Sequence, residues 1–244
     1  MQKLLSYPLS VLYYICLGLS LVIFHPIQWF CLKVFGYQSH KKSVDILQWF
    51  LMRSANVLGT TFSVTGKENL PKERPLIFVC NHQSMFDIVS IIWFLQEAHP
   101  KFVSKIELGK GIPSVSFNLK YGGSALIDRN DPKQALSAIR DLAKYIQTNK
   151  RSAVIFPEGT RSKTGKPKRF SENGLKMLCK FAPNAMVVPL TINNSWKIFR
   201  YGSFPMGLGS AVKLHVHPAI KIKDMEFEQL LETVENTVKS KIEE

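Results

Sequence analysis

The stretch PLIFVCNHQSMFDIVSIIWFLQ, residues 75–96, decides the fold. PLIFVC (75–80) is short and apolar throughout, the pattern of a strand buried on both faces. SMFDIVSIIWFLQ (84–96) has the length of a helix. A buried strand running into a helix through a polar turn is the repeating unit of an α/β sheet. The turn holds Asn81, His82, Ser84 and Asp87. Ser84-x-x-Asp87 fits a capping box at the helix start, which accounts for both residues without any function. It leaves His82 unexplained at the end of a buried strand. If the turn folds His82 over the first helical turn, Asp87 reaches its Nδ1–H, fixes the tautomer and leaves Nε2 as a base. Both readings stand at this point.

Outward from this unit, strand and helix patterns alternate. FVS (102–104) reads as a short strand, followed by a helical stretch to about Tyr121. SALID (124–128), SAVIF (152–156) and MVVPLTI (186–192) read as strands, and VKLHVH (212–217) alternates like an edge strand. DPKQALSAIRDLAKYIQT (131–148) is a helix with Asp131 as cap, Pro132 in the first position, and an apolar face from Ala135 to Ile146. SENGLKMLCKFA (171–182) is a helix capped by Ser171, and a terminal helix spans Glu226 to Ile242. The expectation is a mixed, largely parallel sheet with helices on both faces over residues 61–244. Ligands then bind beyond the carboxyl ends of the strands. Those ends carry Asn81-His82…Asp87, Asp128-Arg129, Glu158…Arg161-Ser162 and Asn193-Asn194-Ser195. Together they predict one crevice with a base, a carboxylate and two guanidinium groups.

Residues 1–60 read differently. Leu4 to Leu32 contains no Asp, Glu, Lys or Arg. Leu9 to Phe24 falls short of the ~20 apolar residues a spanning helix needs, and Pro26 should kink or end the helix. One spanning helix and a helical pair lying in one leaflet both remain open. A second helix follows at Val44 to Gly59, and Trp29 and Trp49 suit a membrane interface.

The chain is strongly basic, at +14, and the excess is concentrated: residues 150–223 hold 14 Lys or Arg against Glu158 and Glu172. Such segregation implies a polyanionic partner. The uncharged amino-terminal run argues for an anionic lipid surface over nucleic acid, for which no RNP, KH or zinc pattern appears. Cys16, Cys31, Cys80 and Cys179 lack CxxC spacing and read as reduced packing residues. No GxSxG is present, so a hydrolase nucleophile elbow has no support. His215-x-His217 offers two imidazoles on one face of a strand but no third metal ligand.

In FPEGTRS (156–162), Pro157 and Gly159 force an irregular loop. The planar fork of Arg161 suits a phosphate, whereas Glu158 must accept from hydroxyls or pair with a base. A glycerol phosphate satisfies both demands. A surface Arg–Glu pair is the alternative, contributing under ~1 kcal/mol.

NHQSMFD, GSALIDR (123–129), FPEGTRS and VVPLTI (187–192), in this order, resemble the sequence blocks of the glycerolipid acyltransferases, specifically the bacterial 1-acyl-glycerol-3-phosphate acyltransferase (PlsC-type) family. The likeness runs from about Leu76 to Ile192. It implies transfer of a fatty acyl group from acyl-CoA or acyl carrier protein to the sn-2 hydroxyl of lysophosphatidic acid. On this pattern His82 is the general base and Asp87 orients it. Glu158, Gly159, Thr160 and Arg161 line the acceptor site, and Arg129 and Lys105 reach its phosphate. The resemblance implies a bacterial inner-membrane enzyme with its site on the cytoplasmic face and no metal or cofactor. The sequence departs from the family where a PFKKGAF-like block often follows FPEGTRS. Here it reads RFSENGL (169–175), with Ser171-Glu172-Asn173 in place of the basic pair. That leaves open another acceptor: glycerol-3-phosphate, another lysophospholipid or a lyso-aminolipid. A non-catalytic binder of anionic lipid is the reading from another class.

Overall fold

In a computed structural model of the chain, residues 2–243 are described. One mixed sheet forms the centre. Its strands are β1 (Thr61–Thr65), β2 (Leu76–Cys80), β3 (Pro100–Lys105), β4 (Ala125–Ile127), β5 (Ser152–Ile155), β6 (Met186–Asn193), β7 (Ala211–Val216) and β8 (Ile220–Lys221). The order is β1-β7-β6-β2-β5-β3-β4, with β8 beside the start of β6. β2, β3, β4, β5 and β6 run parallel, whereas β7 is antiparallel to β6. The largely parallel α/β sheet expected from the apolar runs is therefore present.

β2 is the central strand, and its pleat explains both cores. Leu76, Phe78 and Cys80 face a core shared with α1 (Gln2–Phe30), α2 (Tyr37–Asn56) and α3 (Phe86–Phe94). Ile77 and Val79 face the opposite core, shared with α5 (Pro132–Asn149), α6 (Glu172–Phe181) and α7 (Phe227–Lys239). Alternate side chains point to opposite faces, so an all-apolar run is what a strand between two helical layers requires. A short α4 (Val115–Tyr121) joins β3 to β4. α5 starts as read: Asp131 Oδ1 accepts from the N–H of Lys133 and of Gln134, each at 3.0 Å. Ile139, Leu142, Ala143 and Ile146 are its buried stripe.

Three expectations are corrected. β7 is not an edge strand, because β1 pairs on its far side. Its alternation arises from one uncovered face: Ala211 and Lys213 are exposed while Val212, Leu214 and Val216 are buried. Of the two outcomes expected at Pro26, an end or a kink, the end does not occur: α1 runs on to Phe30 and through a π-helical turn at Cys31–Phe35. The proline lacks the N–H that would serve the Val22 carbonyl. At the same turn, Ser114 donates its hydroxyl to the Leu21 carbonyl (2.6 Å) and its N–H to His25 Nδ1 (3.0 Å), tying the disturbed helix to the sheet domain. The second helix starts at Tyr37, well before Val44, and buries polar residues such as His40 and Asp45 on the side facing the domain.

The outer side of α1 is strongly apolar, with Leu12, Ile15, Leu19, Val22 and Ile23 all exposed. By length and composition alone, Gln2–Phe35 is the one helix among the described residues that could cross a bilayer. Trp29 and Trp49 are 52% and 40% exposed on the same amino-terminal layer.

Candidate active site

Because β2, β3, β4, β5 and β6 are parallel, their carboxyl ends form one rim, and the turns that follow them carry the polar groups singled out in the sequence. The rim is closed first at β2 and β6. Asn81 extends their ladder with its side chain, donating to the Ile192 carbonyl (2.8 Å) and accepting from the Ile192 N–H (2.7 Å). This fixes the backbone from which His82 departs.

His82 folds back over the first turn of α3, with Nδ1 2.7 Å from Asp87 Oδ2. Asp87 is fully buried, and its carboxylate accepts from four donors. Besides His82, Oδ2 takes the N–H of Gln83 (2.6 Å) and of Ser84 (2.9 Å), and Oδ1 takes the hydroxyl of Ser195 from the turn after β6. Four donors around one carboxyl group are the environment of an ionised carboxylate. His82 therefore donates from Nδ1, and in the neutral ring Nε2 carries the lone pair. The ring stacks on Phe156, at 4.1 Å between centroids and 18° between planes, and its side chain is 14% exposed. Packing on one side and a hydrogen bond on the other hold the imidazole in a single orientation.

The two readings of the opening turn prove compatible. The helix takes Met85, not Ser84, as its cap residue, but Ser84 Oγ accepts from the Phe86 N–H (3.1 Å) while Asp87 accepts from the Ser84 N–H, so the turn leading into the helix is bonded reciprocally. The same Oδ2 that bonds this turn also holds His82.

FPEGTRS is bound to this centre through its backbone. The Ser162 N–H donates to the His82 carbonyl (2.7 Å), and the His82 N–H donates to Glu158 Oε1 (3.1 Å). Glu158 is 9% exposed, and its Oε2 is buried without a hydrogen-bond partner. Burial pushes its carboxyl group above the ordinary glutamate range, and the His82 N–H offsets part of that shift. Gly159 turns the loop with φ +70°, a left-handed conformation that favours glycine. Gly174 lets α6 approach β5, since a Cβ there would strike Ile155 Cδ1.

The other sequence-predicted residues reach the same rim but not the same centre. Thr160 and Arg161 lie exposed on the outer part of the FPEGTRS loop, where Lys168 Nζ bonds Thr160 Oγ1 (2.6 Å). Lys105 ends β3 and Arg129 follows β4, both exposed. At ~4.8 Å per strand, the end of β3 lies roughly 10 Å from that of β2, and β4 roughly 14 Å. Arg161 leaves from β5, directly beside β2. Two residues of the centre carry no assigned role in the sequence reading. Ser195 completes the Asp87 carboxylate, and Gln83 accepts the Ser195 N–H on its side-chain oxygen (3.1 Å). Ser195 had a signal, as a hydroxyl at the end of a buried strand; Gln83 had none beyond its neighbours.

Other candidates are accounted for by packing. Cys80 is buried, and burial, then the charges of Asp87 and Glu158, push its thiol far above the usual range, which suits a packing residue. His215 and His217 each bond a threonine, Thr65 and Thr191, at 2.8 Å.

A parallel sheet whose rim presents an oriented imidazole, with exposed cationic side chains along the same rim, has the geometry that removing a proton from a hydroxyl of an anionic ligand requires. The chain belongs to the Acyltransferase family, whose family model matches residues 61–193, from β1 to the end of β6. It resembles the 1-acyl-sn-glycerol-3-phosphate acyltransferase of Borreliella burgdorferi, at 29% identity over 188 residues, 76% of this chain and 73% of that one. The enzyme of the same name from Helicobacter pylori is 37% identical over 147 residues, 57% of this chain and 58% of that one. That from Cocos nucifera is 28% identical over 78% of this chain and 57% of its own length. Among solved structures, the 1-acyl-sn-glycerophosphate (LPA) acyltransferase PlsC from Thermotoga maritima superposes with a TM-score of 0.83 at 28% identity. That match covers 99% of this chain and 96% of the other.

Proposed function

We propose that the protein is a membrane-bound 1-acyl-sn-glycerol-3-phosphate acyltransferase. It moves a fatty acyl group from a thioester, acyl-CoA or acyl carrier protein, to the sn-2 hydroxyl of lysophosphatidic acid. The observation that carries this reading is the His82–Asp87 contact at the end of β2, with Glu158 on the His82 backbone. His82 Nε2 takes the proton of the acceptor hydroxyl as its oxygen attacks the thioester carbonyl. The buried Asp87 carboxylate stabilises the resulting imidazolium. When the tetrahedral intermediate collapses, the C–S bond breaks and the imidazolium returns the proton to the thiolate. Atoms and charge balance without a covalent acyl-enzyme, because a thioester is already activated. Arg161 holds the acceptor phosphate, and Arg129 and Lys105 extend the positive rim. Glu158 Oε2, without a partner of its own, accepts from an acceptor hydroxyl.

The exposed apolar face of α1 supports membrane attachment. The helix touches the sheet domain from Ser10, whose Oγ accepts the Met206 N–H (2.7 Å), to His25. At 1.5 Å per residue these contacts span ~22 Å of helix. A helix crossing the bilayer upright would drag the domain into the hydrocarbon, so α1 lies along the surface with its apolar side in one leaflet. We place the enzyme on the cytoplasmic face of the inner membrane.

The test is transfer of radiolabelled acyl groups to lysophosphatidic acid by wild type and His82→Ala in liposomes. Loss of transfer in the variant supports the base assignment, and substantially retained activity sinks it.

A second acceptor is favoured by one feature. Beside Glu158 and Gly159 a groove of about 630 Å³ opens between the Arg169–Asn173 segment and α7, lined by Arg169 and by Glu172, Glu228, Glu232 and Glu235, of which Glu228 pairs with Lys176 and Glu235 with Lys239, leaving Glu172 and Glu232 unpaired among the described residues. An acidic wall suits an amine-bearing lysolipid better than an anionic head group. A panel of acceptors with one thioester decides, and preference for lysophosphatidate dismisses this reading.

A further inference from the structure

At the opposite rim, where β3 and β5 begin, a second polar cluster lies beneath α2. Lys101, the second residue of β3, is only 6% exposed, and Arg151 immediately precedes β5. His40, on the first turn of α2, is 1% exposed, and neither ring nitrogen has a hydrogen-bond partner. His99 Nδ1 and the Tyr37 hydroxyl are buried and unpartnered as well. The one local carboxylate, Asp45, is engaged by Lys41 at 2.5 Å, and Lys41 also donates to the Gln96 carbonyl at 2.6 Å. The Arg151 guanidinium stacks on Tyr37 at 3.7 Å, and the Lys101 ammonium lies 5.1 Å from the same ring, without an ion-pair partner among the described residues.

Protonated, the three basic side chains outnumber the one acid by two charges, in a place largely shut from water. Unpaired buried charges and unpaired buried donors are both costly, and native structures rarely keep them together. Burial, then the charges of Arg151 and Lys41, depress the Lys101 ammonium to about 7. His40, Lys41, His99 and Lys101 all line one cavity of about 20 Å³, and Asp45 lines it too, its carboxylate already engaged by Lys41. A void of this size holds a single water-sized occupant, which leaves no room for a phosphate or a lipid head group.

We propose that this cavity binds one monovalent inorganic anion of chloride size, held by Lys101 and His40 between α2 and the starts of β3 and β5. The site is separate from the transfer chemistry at the other rim. Its effect is to pin the membrane-facing α2 to the sheet by satisfying donors contributed from both.

The decisive experiment is diffraction from crystals of the full-length protein grown in sodium bromide, with data collected at the bromine edge. An anomalous peak within hydrogen-bond distance of Lys101 Nζ establishes the site, and its absence at full lattice occupancy of surface bromides overturns it. In parallel, unfolding midpoints in detergent are compared in sodium chloride and sodium gluconate at equal ionic strength. At a tenfold excess over the dissociation constant, chloride should raise the midpoint by about 3–6 °C. Lys101→Met should abolish the difference. If that variant fails to fold, His40→Phe, which keeps the ring volume and removes the donor, should weaken the chloride response. Equal midpoints for wild type in the two salts would refute the proposal, a water then being the occupant.

Discussion

The candidate active site is built in two halves that differ in kind. Around Asp87 the groups are buried and bonded: the carboxylate takes four donors and the imidazole is clamped between a hydrogen bond and Phe156. Along Lys105, Arg129 and Arg161 the charges stand in solvent, with no ion pairs among the described residues. The difference matches two tasks. Proton transfer gains from groups held in one geometry before substrate arrives. Recognition of a phosphate gains from guanidinium groups not already engaged by carboxylates, because breaking an existing pair would offset the new bond. The buried half should therefore govern turnover and the exposed half affinity.

The largest effect is expected where the comparison is sharpest. His82→Ala removes the lone pair and should lower kcat by about 10²–10⁴-fold with little change in KM for the acceptor. Asp87→Asn keeps the volume but replaces one acceptor oxygen with a donor facing the N–H groups of the turn. It should lower kcat comparably and also lower the thermal midpoint. Steady-state kinetics in mixed micelles gives both constants. A rise in KM alone for His82→Ala would dissolve the distinction between the halves. Arg161→Ala should act the other way. Losing a charge-assisted bond of ~1.5–3 kcal/mol corresponds to a rise in acceptor KM of about 10–150-fold, with kcat largely retained. Arg161→Lys, which keeps the charge and loses the fork, should recover part of it.

How much of this was legible in the sequence follows the same division. β2, β5 and β6 are visible because strands covered on both faces must be apolar throughout, and His82, Asp87 and Glu158 are visible because they interrupt such runs at their ends. β1 is not: TFSVT is half exposed and gains its partner β7 only from about 150 residues away, so no local pattern marks it. VKLHVH shows that alternation reports an uncovered face, not an edge. Pro26 shows the limit of a local rule, since the helix continues where Ser114, 88 residues further on, serves the neighbouring carbonyl. Ser195 is legible as a hydroxyl at a strand end, but its bond to Asp87 depends on β6 lying beside β2, which the sequence does not state.

Ser195 sharpens the comparison at smaller scale. Its hydroxyl is the one donor to Asp87 that comes from outside the 82–87 turn, so Ser195→Ala should leave the His82–Asp87 bond in place and loosen its support. We expect kcat to fall by about tenfold, the lower end of the range for one hydrogen bond to a charged group because three other donors still hold the carboxylate, with acceptor KM unchanged. Ser195→Thr, which keeps the hydroxyl, should recover activity if the role is positioning and the site tolerates the methyl group.

Glu158 stands on the boundary between the halves, buried like Asp87 yet with one oxygen unbonded, and it carries the smallest effect. Because its folded-state pKa is raised by burial, the ionised side chain costs stability at neutral pH. That cost is relieved as pH falls through the raised value toward the ordinary glutamate value, since the folded protein then holds the proton more tightly than the unfolded chain. Glu158→Gln should therefore raise the thermal midpoint slightly at pH 7.5, and the gain should shrink steadily on acidification. On the proposed role of Oε2 as acceptor for a substrate hydroxyl, acceptor binding should weaken in the same variant, because the His82 N–H holds the amide oxygen at the Oε1 position and leaves a donor in place of Oε2. Thermal scans across pH, read beside acceptor KM, check both. A stabilising effect that persists unchanged at low pH would mean that the cost at Glu158 is steric, and the carboxylate would then belong with the rigid half of the site.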